Sequence, residues 1–387
     1  MKTPRFAVLT MFFVNGALFA NWVARIPEFQ SKFDLSEGEL GLVLLCGSVG
    51  VLVGLALTSS IIAQFGSRKV TTFGAVIMAV AGFLLTIMPH PLALGAGLLF
   101  MGAFQSAMDV AMNAQGVEVE RRSQKPLMSS FHAAYSIGNV AGAAIGAGMA
   151  QLAVSLPVHF AIVSVVFGGL AVFASQSMLD IQSETSGKRE APFQIPARVL
   201  WPIGLIAFCS GLGEGSMGDW SAVYLKKIVG TEASVAAFGF AAFSIMMTIG
   251  RFSGDWLTSR IRSTRIVRFG GLIAGLGLLL AVLVPETPIV LLGFAAVGIG
   301  LANVIPLAFS AAGNTPGISS SRGLAGVATI GYAAFLAGPP LVGMIADALS
   351  LRVSLGMIAA LVGLIFVFAD AIQPRREAAQ PVVVAGD

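Results

Sequence analysis

The sequence predicts an all-α polytopic membrane protein: twelve transmembrane helices in two six-helix, pseudo-symmetric bundles. Three observations carry that prediction. The chain is 56% apolar with 11% charged residues and a mean hydropathy of +0.87, whereas soluble chains carry about 25% charged residues. Its apolar stretches are long and unbroken, unlike the alternating strands of an outer-membrane barrel. A spanning helix with its connector takes roughly 30 residues, so a chain of 387 holds about twelve and leaves no room for a soluble domain. Disorder is excluded by the same apolar excess. A net charge of +4 over the whole chain is no basic footprint, so no nucleic-acid partner is expected.

Apolar runs bounded by charges or prolines place spans 1–6 at roughly 6–27, 39–64, 70–88, 92–117, 127–153 and 158–178. Spans 7–12 fall at roughly 199–224, 233–257, 266–284, 288–312, 323–348 and 353–372. Span 1 follows Lys2 and Arg5 and lacks a small-residue cleavage site before Arg25-Ile26-Pro27, so it reads as a retained helix. The connectors Pro89-His90-Pro91, Ser155-Leu156-Pro157 and Pro285-Glu286-Thr287-Pro288 read as turns, because proline cannot continue a helical ladder. With the N-terminus inside, seventeen Lys/Arg fall in the inner segments and four (Lys32, Lys226, Lys227 and Arg352) outside, with Arg25 and Arg251 within spans. That bias puts both termini in the cytoplasm. Cys46 and Cys209 lie in spans as small hydrophobes, so neither disulfide nor metal is expected.

The longest hydrophilic segment, 180–198, divides the chain into an N-terminal bundle (1–179) and a C-terminal bundle with a short tail (199–387). The halves echo each other at an offset of roughly 196 residues, Gly102 answering Gly298 and Gly142 answering Gly338. Parallel six-helix repeats joined by a cytoplasmic linker are a transporter plan, with the substrate site between the halves.

The topology, the linker and the basic loops Gly66-Ser67-Arg68-Lys69 and Ser259-Arg260-Ile261-Arg262 resemble the major facilitator superfamily over the whole chain. Several strings resemble its bacterial group typified by the inner membrane protein YbjJ. They are Ala20-Asn21-Trp22-Val23-Ala24-Arg25-Ile26-Pro27, Asp109-Val110-Ala111-Met112-Asn113, Phe131-His132-Ala133, Glu214-Gly215-Ser216-Met217-Gly218-Asp219-Trp220-Ser221 and Gly338-Pro339-Pro340. The resemblance implies transport, with helices 1, 4, 7 and 10 around a central cavity. There are departures. Ala63 and Gln64 stand where the family's loop 2–3 signature has Asp-Arg, so its inner charge relay does not carry over intact. Span 5 has Gly138, Gly142 and Gly146 but lacks the Gly-Pro of drug–proton antiporters.

Ionisable residues inside spans are expensive and mark candidate sites. Asp109 and Asn113 share one face of span 4, and a carboxylate in a low-dielectric surround can trade a proton near neutrality. The competing reading of Asp109 is a structural hydrogen bond. Glu214 sits mid-span 7 among Gly211, Gly213, Gly215 and Gly218, a density that permits a broken helix at the midplane. Arg25 and Asp219, near the outer ends of spans 1 and 7, are a candidate gate pair across the cavity. The alternative is that each snorkels independently. His132 on span 5, sharing a stripe with Asn139, suits a proton relay, with a satisfied packing histidine as the rival reading. His90 and His159 read as bystanders at outer turns. Arg251 and Asp255, four apart, read as a local ion pair.

Asn15, Trp22, Gln105, Trp220, Asn303 (the approximate repeat partner of Asp109) and Tyr332 complete the expected substrate lining, each with interhelical packing as the rival reading. The whole predicts a secondary transporter, not an enzyme, acting as a monomer by alternating access on a small polar organic solute, sugar-like by family analogy. Proton coupling runs through Asp109, Glu214 and His132, and no cofactor is required. No G-x-x-x-x-G-K-[ST] motif is present for ATP-driven pumping. Export of a drug or toxic compound by proton antiport is the alternative.

Overall fold

The computed structural model describes residues 3–124, 127–180 and 197–373, so most of the predicted linker and the tail beyond 373 lie outside the described residues. All regular structure among the described residues is helical. The first half comprises α1 (Pro4–Lys32), α2 (Glu37–Phe65), α3 (Ser67–Thr86), α4 (Pro91–Ser123), α5 (Met128–Gln151) and α6 (Leu156–Ser175). In the second half α7 (Trp201–Tyr224) continues into a π-helical turn, Leu225–Val229. Span 8 is made of α8 (Ala233–Ala236), α9 (Phe238–Phe252) and α10 (Gly254–Arg260). Span 9 is α11 (Ser263–Leu283), and span 10 is α12 (Thr287–Leu301) followed by α13 (Val304–Gly313). The last two are α14 (Ser320–Ala348) and α15 (Leu351–Phe368).

Eleven helices among the described residues are long and apolar enough to cross a membrane. The twelfth span of the sequence reading, α5, is 24 residues long but rich in Gly, Ala and Ser. Its composition reflects how closely it packs: a Cβ at Gly138 or Gly142 would run into the carbonyls of Phe13 or Ala17 on α1, and one at Gly16 into that of Tyr135. Helices in lipid gain little hydrophobic drive from meeting each other, so small residues that admit a neighbouring backbone hold them together.

The same device shows the repeat. A Cβ at Gly102 on α4 would strike the carbonyl of Gly47 on α2, and one at Gly298 on α12 would strike that of Phe243 on α9. Both members of the second pair are the first pair advanced by one repeat. The expectation of a broken helix around Glu214 fails: α7 runs unbroken through its glycines, which pack instead, Gly211 on Ala334 and Gly213 on Leu301 and Val362. The break falls in span 10 at Ala302 and Asn303, where the Asn303 amide donates to the Gly250 carbonyl at 3.0 Å. Gln115 ties α4 to α3 and to the end of span 6, donating to Ser67 Oγ (2.8 Å) and the Leu179 carbonyl (2.7 Å).

The halves pack through α2 on α14, α5 on α8 and α9, and α1 on α7. Their polar ties sit at the face opposite the termini. Lys227, in the π-helical turn, pairs with Glu37 at 2.7 Å. Ser36 caps α2 in a capping box with Glu39 and also donates to Asp347 Oδ2 at 2.8 Å. The Asp347 carboxylate also lies against Gly38 in the first turn of α2. The end of α14 thus supplies an anion to the positive N-terminus of α2 in the other half.

Because Gly102 touches backbone while Gly169 has nothing within 4 Å of an added Cβ, the two should respond oppositely. Gly102→Val is expected to lower the melting temperature in detergent through overpacking of about 1–3 kcal/mol. Gly169→Ala should leave it unchanged or raise it slightly, since alanine favours helix. A thermal unfolding comparison of the two variants checks this.

Candidate substrate cavity and its charged wall

Between the halves lies a cavity of about 460 Å³. Helical periodicity explains which residues reach it. On α9 the stripe Phe240, Phe243, Ser244, Met247 and Arg251 faces inward. On α7 it is Glu214 with Gly218, and Gly215 with Asp219, each pair four apart. On α5 it is Tyr135, Ser136 and Asn139, and on α4 it is Leu98, Met101, Gly102 and Gln105. Phe19 and Trp22 of α1, Leu44, Gly47, Ser48 and Val51 of α2, and Tyr332 and Phe335 of α14 close the wall.

Eight of these lining positions recur one repeat later, also in the lining: Phe19 with Gly215, Trp22 with Gly218, Leu44 with Phe240, Gly47 with Phe243, Ser48 with Ser244, Val51 with Met247, Ser136 with Tyr332, and Asn139 with Phe335. The cavity therefore sits on the pseudo-twofold axis. Bulk is traded across it, since glycine answers an aromatic ring in three of the eight.

Arg251 Nη2 meets Glu214 Oε2 at 3.4 Å, and Ser210 Oγ donates to Glu214 Oε1 at 3.4 Å. Arg251 thus has a partner across helices; the expected Arg251–Asp255 pair involves a side chain that lies outside the described residues. Asp109 continues the α4 stripe one turn beyond Gln105, and His132 continues the α5 stripe beyond Tyr135. Both are exposed, as is Arg251. The cavity thus has a charged mouth toward the face that carries the termini. Asn113 donates to the Asp109 carbonyl at 2.8 Å and to its carboxylate at 3.4 Å. His132 lies edge-on against Phe12.

Of the residues expected from sequence, the cavity lining holds Trp22, Gln105, Asn139, Glu214, Asp219 and Tyr332, with Asp109, Asn113 and His132 toward its mouth. Four are elsewhere. Asn15 is buried, with its amide 3.7 Å from Met112 Sδ between α1 and α4. Asn303 braces span 10 against span 8. Trp220 is wholly buried behind the lining, its Nε1 without a partner among the described residues.

The fourth is Arg25, and the structure corrects the gate pair. Arg25 Nε lies 2.9 Å from Glu28 Oε1, Nη1 lies 3.1 Å from His159 Nδ1, and Nη2 donates to the Val154 carbonyl at 3.0 Å. Asp219 has no hydrogen-bond or ion-pair partner among the described residues. His159, read from sequence as a bystander, is fully buried at the centre of this network. Asn21 Nδ2 donates to the Ala17 carbonyl, so its Oδ1, 2.8 Å from His159 Nε2, accepts. The ring therefore carries its proton on Nε2 and accepts from Arg25 at Nδ1, a neutral imidazole. Arg25 and His159 are 134 positions apart, and only the packing of α1 against α6 joins them.

A sequence profile described as the Major Facilitator Superfamily matches residues 7–317. An uncharacterized transporter, y4wD, of Sinorhizobium fredii is 36% identical over 94% of this chain and 98% of its own length. An uncharacterized MFS-type transporter of Yersinia pestis is 34% identical over 90% of this chain and 91% of its own. Membrane protein MosC of Rhizobium meliloti is 30% identical over 97% and 91%. Among solved structures, a variant of the nucleoside transporter NupG superposes with a TM-score of 0.80 at 11% identity, covering 96% of this chain and all of that one. A bacterial homolog of the human lysosomal transporter Spinster, inward-facing and occupied, gives 0.74 at 14% identity, covering 95% and 96%.

The Arg25 geometry makes a charge-swap experiment decisive. Arg25→Asp with Asp219→Arg should regain nothing over the single variants. Arg25→Met should destabilise by about 3–5 kcal/mol, as expected when one partner of a buried ion pair is removed, while Asp219→Asn melts like the wild type. Thermal unfolding of these variants beside the wild type reads this out.

Proposed function

The chain is a multi-pass membrane transporter of the major facilitator superfamily, and we propose that it carries a small polar, sugar-like organic solute across the bacterial inner membrane by proton-coupled alternating access. The observation that carries this reading is the cavity between the halves with the Glu214–Arg251 ion pair in its wall. Its volume of about 460 Å³ falls within the usual range for small-molecule sites. The two bodies that rock are 1–179 and 199–387, linked by 180–198, and a monomer suffices.

The Lys/Arg bias supports cytoplasmic termini. In that orientation the charged mouth opens to the cytoplasm, and the Lys227–Glu37 and Ser36–Asp347 ties close the periplasmic side. Glu214 is the leading proton carrier. A proton on its carboxylate cancels the attraction to Arg251 and frees the guanidinium for a second partner. That couples protonation to the relation between α7 and α9. Asp109, exposed toward the mouth, is the second carrier, with His132 as relay. Gln105, Asn139 and Tyr332 supply neutral hydrogen bonds to the solute. Asp219, unpaired in the lining, is free to meet a solute or a gate partner in another state.

One observation favours export of an amphiphilic compound as a second reading: the aromatic wall of Phe19, Trp22, Phe240, Phe243 and Phe335. Deleting the gene separates the two, since uptake predicts a nutrient phenotype and export a change in susceptibility to toxic compounds.

In proteoliposomes with an imposed pH gradient, a labelled panel of hexoses, pentoses and nucleosides should show gradient-driven accumulation of at least one member. Glu214→Gln should reduce it by at least about tenfold, the loss expected when an interaction of roughly 1.4 kcal/mol or more is removed. Full accumulation in both Glu214→Gln and Asp109→Asn would dismiss the proton assignment. Alternating access also predicts that Asp347→Asn weakens the closed face. Spin labels at the lipid-exposed positions Leu42 and Met344 should then show a larger population at long distance in nanodiscs.

A further inference from the structure

The two halves differ at one matched place on the face that carries the termini. In the first half α3 begins at Ser67, and Gln115 of α4 closes over that start. Its amide donates to Ser67 Oγ at 2.8 Å and to the Leu179 carbonyl at 2.7 Å, while its Oε1 accepts from the Leu179 N–H at 3.1 Å. One repeat later the helix start is Ser263 of α11, and the position of Gln115 is held by Ala311. The glutamine side chain has no counterpart there. A second cavity, of about 1270 Å³, opens in its place, with Ser263, Thr264 and Ala311 in the wall.

This cavity has donors to spare. The first N–H groups of a helix have no partner inside it, and at α11 no side chain caps them. Thr264 is 7% exposed, yet its hydroxyl makes no hydrogen bond among the described residues. Its Oγ1 keeps surface open to the cavity, so a guest can reach it. Arg262, at the N-cap, lines the same wall and has no ion pair among the described residues; its counterpart in the first half is Gly66. The acceptors, by contrast, are taken. At the end of α13 the Ser310 carbonyl accepts from the Asn314 amide at 2.7 Å, and the Ala311 carbonyl accepts from Thr315 Oγ1 at 3.0 Å. The acid in the wall, Asp370, is paired with Arg268 at 2.6 Å.

We infer that this second cavity is a binding site for a phosphate group carried on an organic body. The N–H groups of Ser263 and Thr264 and the Thr264 hydroxyl belong to consecutive residues of one helix end, so helical geometry brings them to one tetrahedral anion. The positive end of α11 and Arg262 supply the charge. The apolar part of the wall, Val199, Ile203, Val367 and Phe368, receives the body that carries the phosphate. The site lies wholly within the second half and shares no lining residue with the cavity between the halves. Its guest therefore binds without rocking and does not compete with the transported solute. Two sources offer the same chemistry: the headgroup of an anionic phospholipid and a soluble phosphate ester.

The test uses the full chain, stripped of lipid in a maltoside detergent, with thermal stabilisation as the readout of binding. Phenyl phosphate against phenol probes a soluble ester. Dioleoyl phosphatidic acid against dioleoyl phosphatidylcholine probes a headgroup. The variants are Arg262→Gln, Thr264→Val and Ala311→Gln, the last giving the second half the side chain that closes the first. Glu214→Gln serves as the control in the central cavity.

At least one phosphate probe should stabilise the wild type beyond its control. Arg262→Gln should weaken that binding at least about tenfold and Thr264→Val about threefold or more, following the ranking of charged and neutral hydrogen bonds. Ala311→Gln should abolish it, and Glu214→Gln should leave it intact. Stabilisation by phenyl phosphate alone assigns the site to a soluble ester, and by phosphatidic acid alone to a lipid; either supports it. Should Ala311→Gln fail to fold, Arg262→Gln at the exposed N-cap still decides. Stabilisation unchanged in Arg262→Gln and Thr264→Val, stabilisation equal for a probe and its control, or none from either probe overturns the site. Binding lost in Glu214→Gln but kept in Arg262→Gln places the phosphate between the halves and overturns it as well.

Discussion

Lipid gives helices little hydrophobic reason to meet, so this protein is assembled by letting backbone approach backbone. The contacts of Gly102 with Gly47 and of Gly298 with Phe243 are the clearest case, one contact made twice in a duplicated chain. They clamp α2 to α4 and α9 to α12, and Gly138 and Gly142 clamp α5 to α1 in the same way. Each clamp fixes the rotation of a helix about its axis. Once the rotation of α9 is fixed, so is the stripe from Phe240 to Arg251 that looks into the cavity. The site is a by-product of where the glycines lie.

The same constraint sorts the polar residues. An amide or hydroxyl between clamped helices must be satisfied locally or left to a ligand. Gln115, Asn303, Asn21 and His159 take the first course, each making at least one hydrogen bond to another segment of the chain. Glu214 and Arg251 take an intermediate course, paired with each other at a length of 3.4 Å yet open to the cavity. The closed face works differently again. There an anion from one half sits at the start of a helix of the other, a tie made of exposed groups that can be broken and remade.

What the sequence disclosed follows from the range of its periodicities. The spans, the repeat and the inward stripes on α4, α5 and α7 depend on spacing along one helix, and Gln105, Asn139, Glu214 and Asp219 were legible for that reason. Partnerships were not. Arg25 had Asp219 as an appealing match in the repeated helix, but its partners are Glu28 on its own helix and His159 on α6. Arg251 pairs with Glu214 on α7, a partner that spacing along α9 could not name. Nothing local to Glu214 said whether its glycines would break α7 or pack it. That was decided by Ala334, Leu301 and Val362 on other helices.

The traded bulk across the pseudo-twofold axis has a consequence for the transport cycle. In the alternating access proposed above, rocking would exchange the roles of the two halves, and if their linings matched, the inward-open and outward-open states would be near mirror images with equal hold on a solute. They do not match: Trp22 answers Gly218, and Gly47 answers Phe243. Under that proposal a solute seated here would have one pose, not two, and would meet a different surface in each state. The frame is therefore neutral as to direction, while the lining is biased. Reversing the preferred direction of such a carrier would be a matter of exchanging a few side chains between repeat partners, with the architecture left untouched.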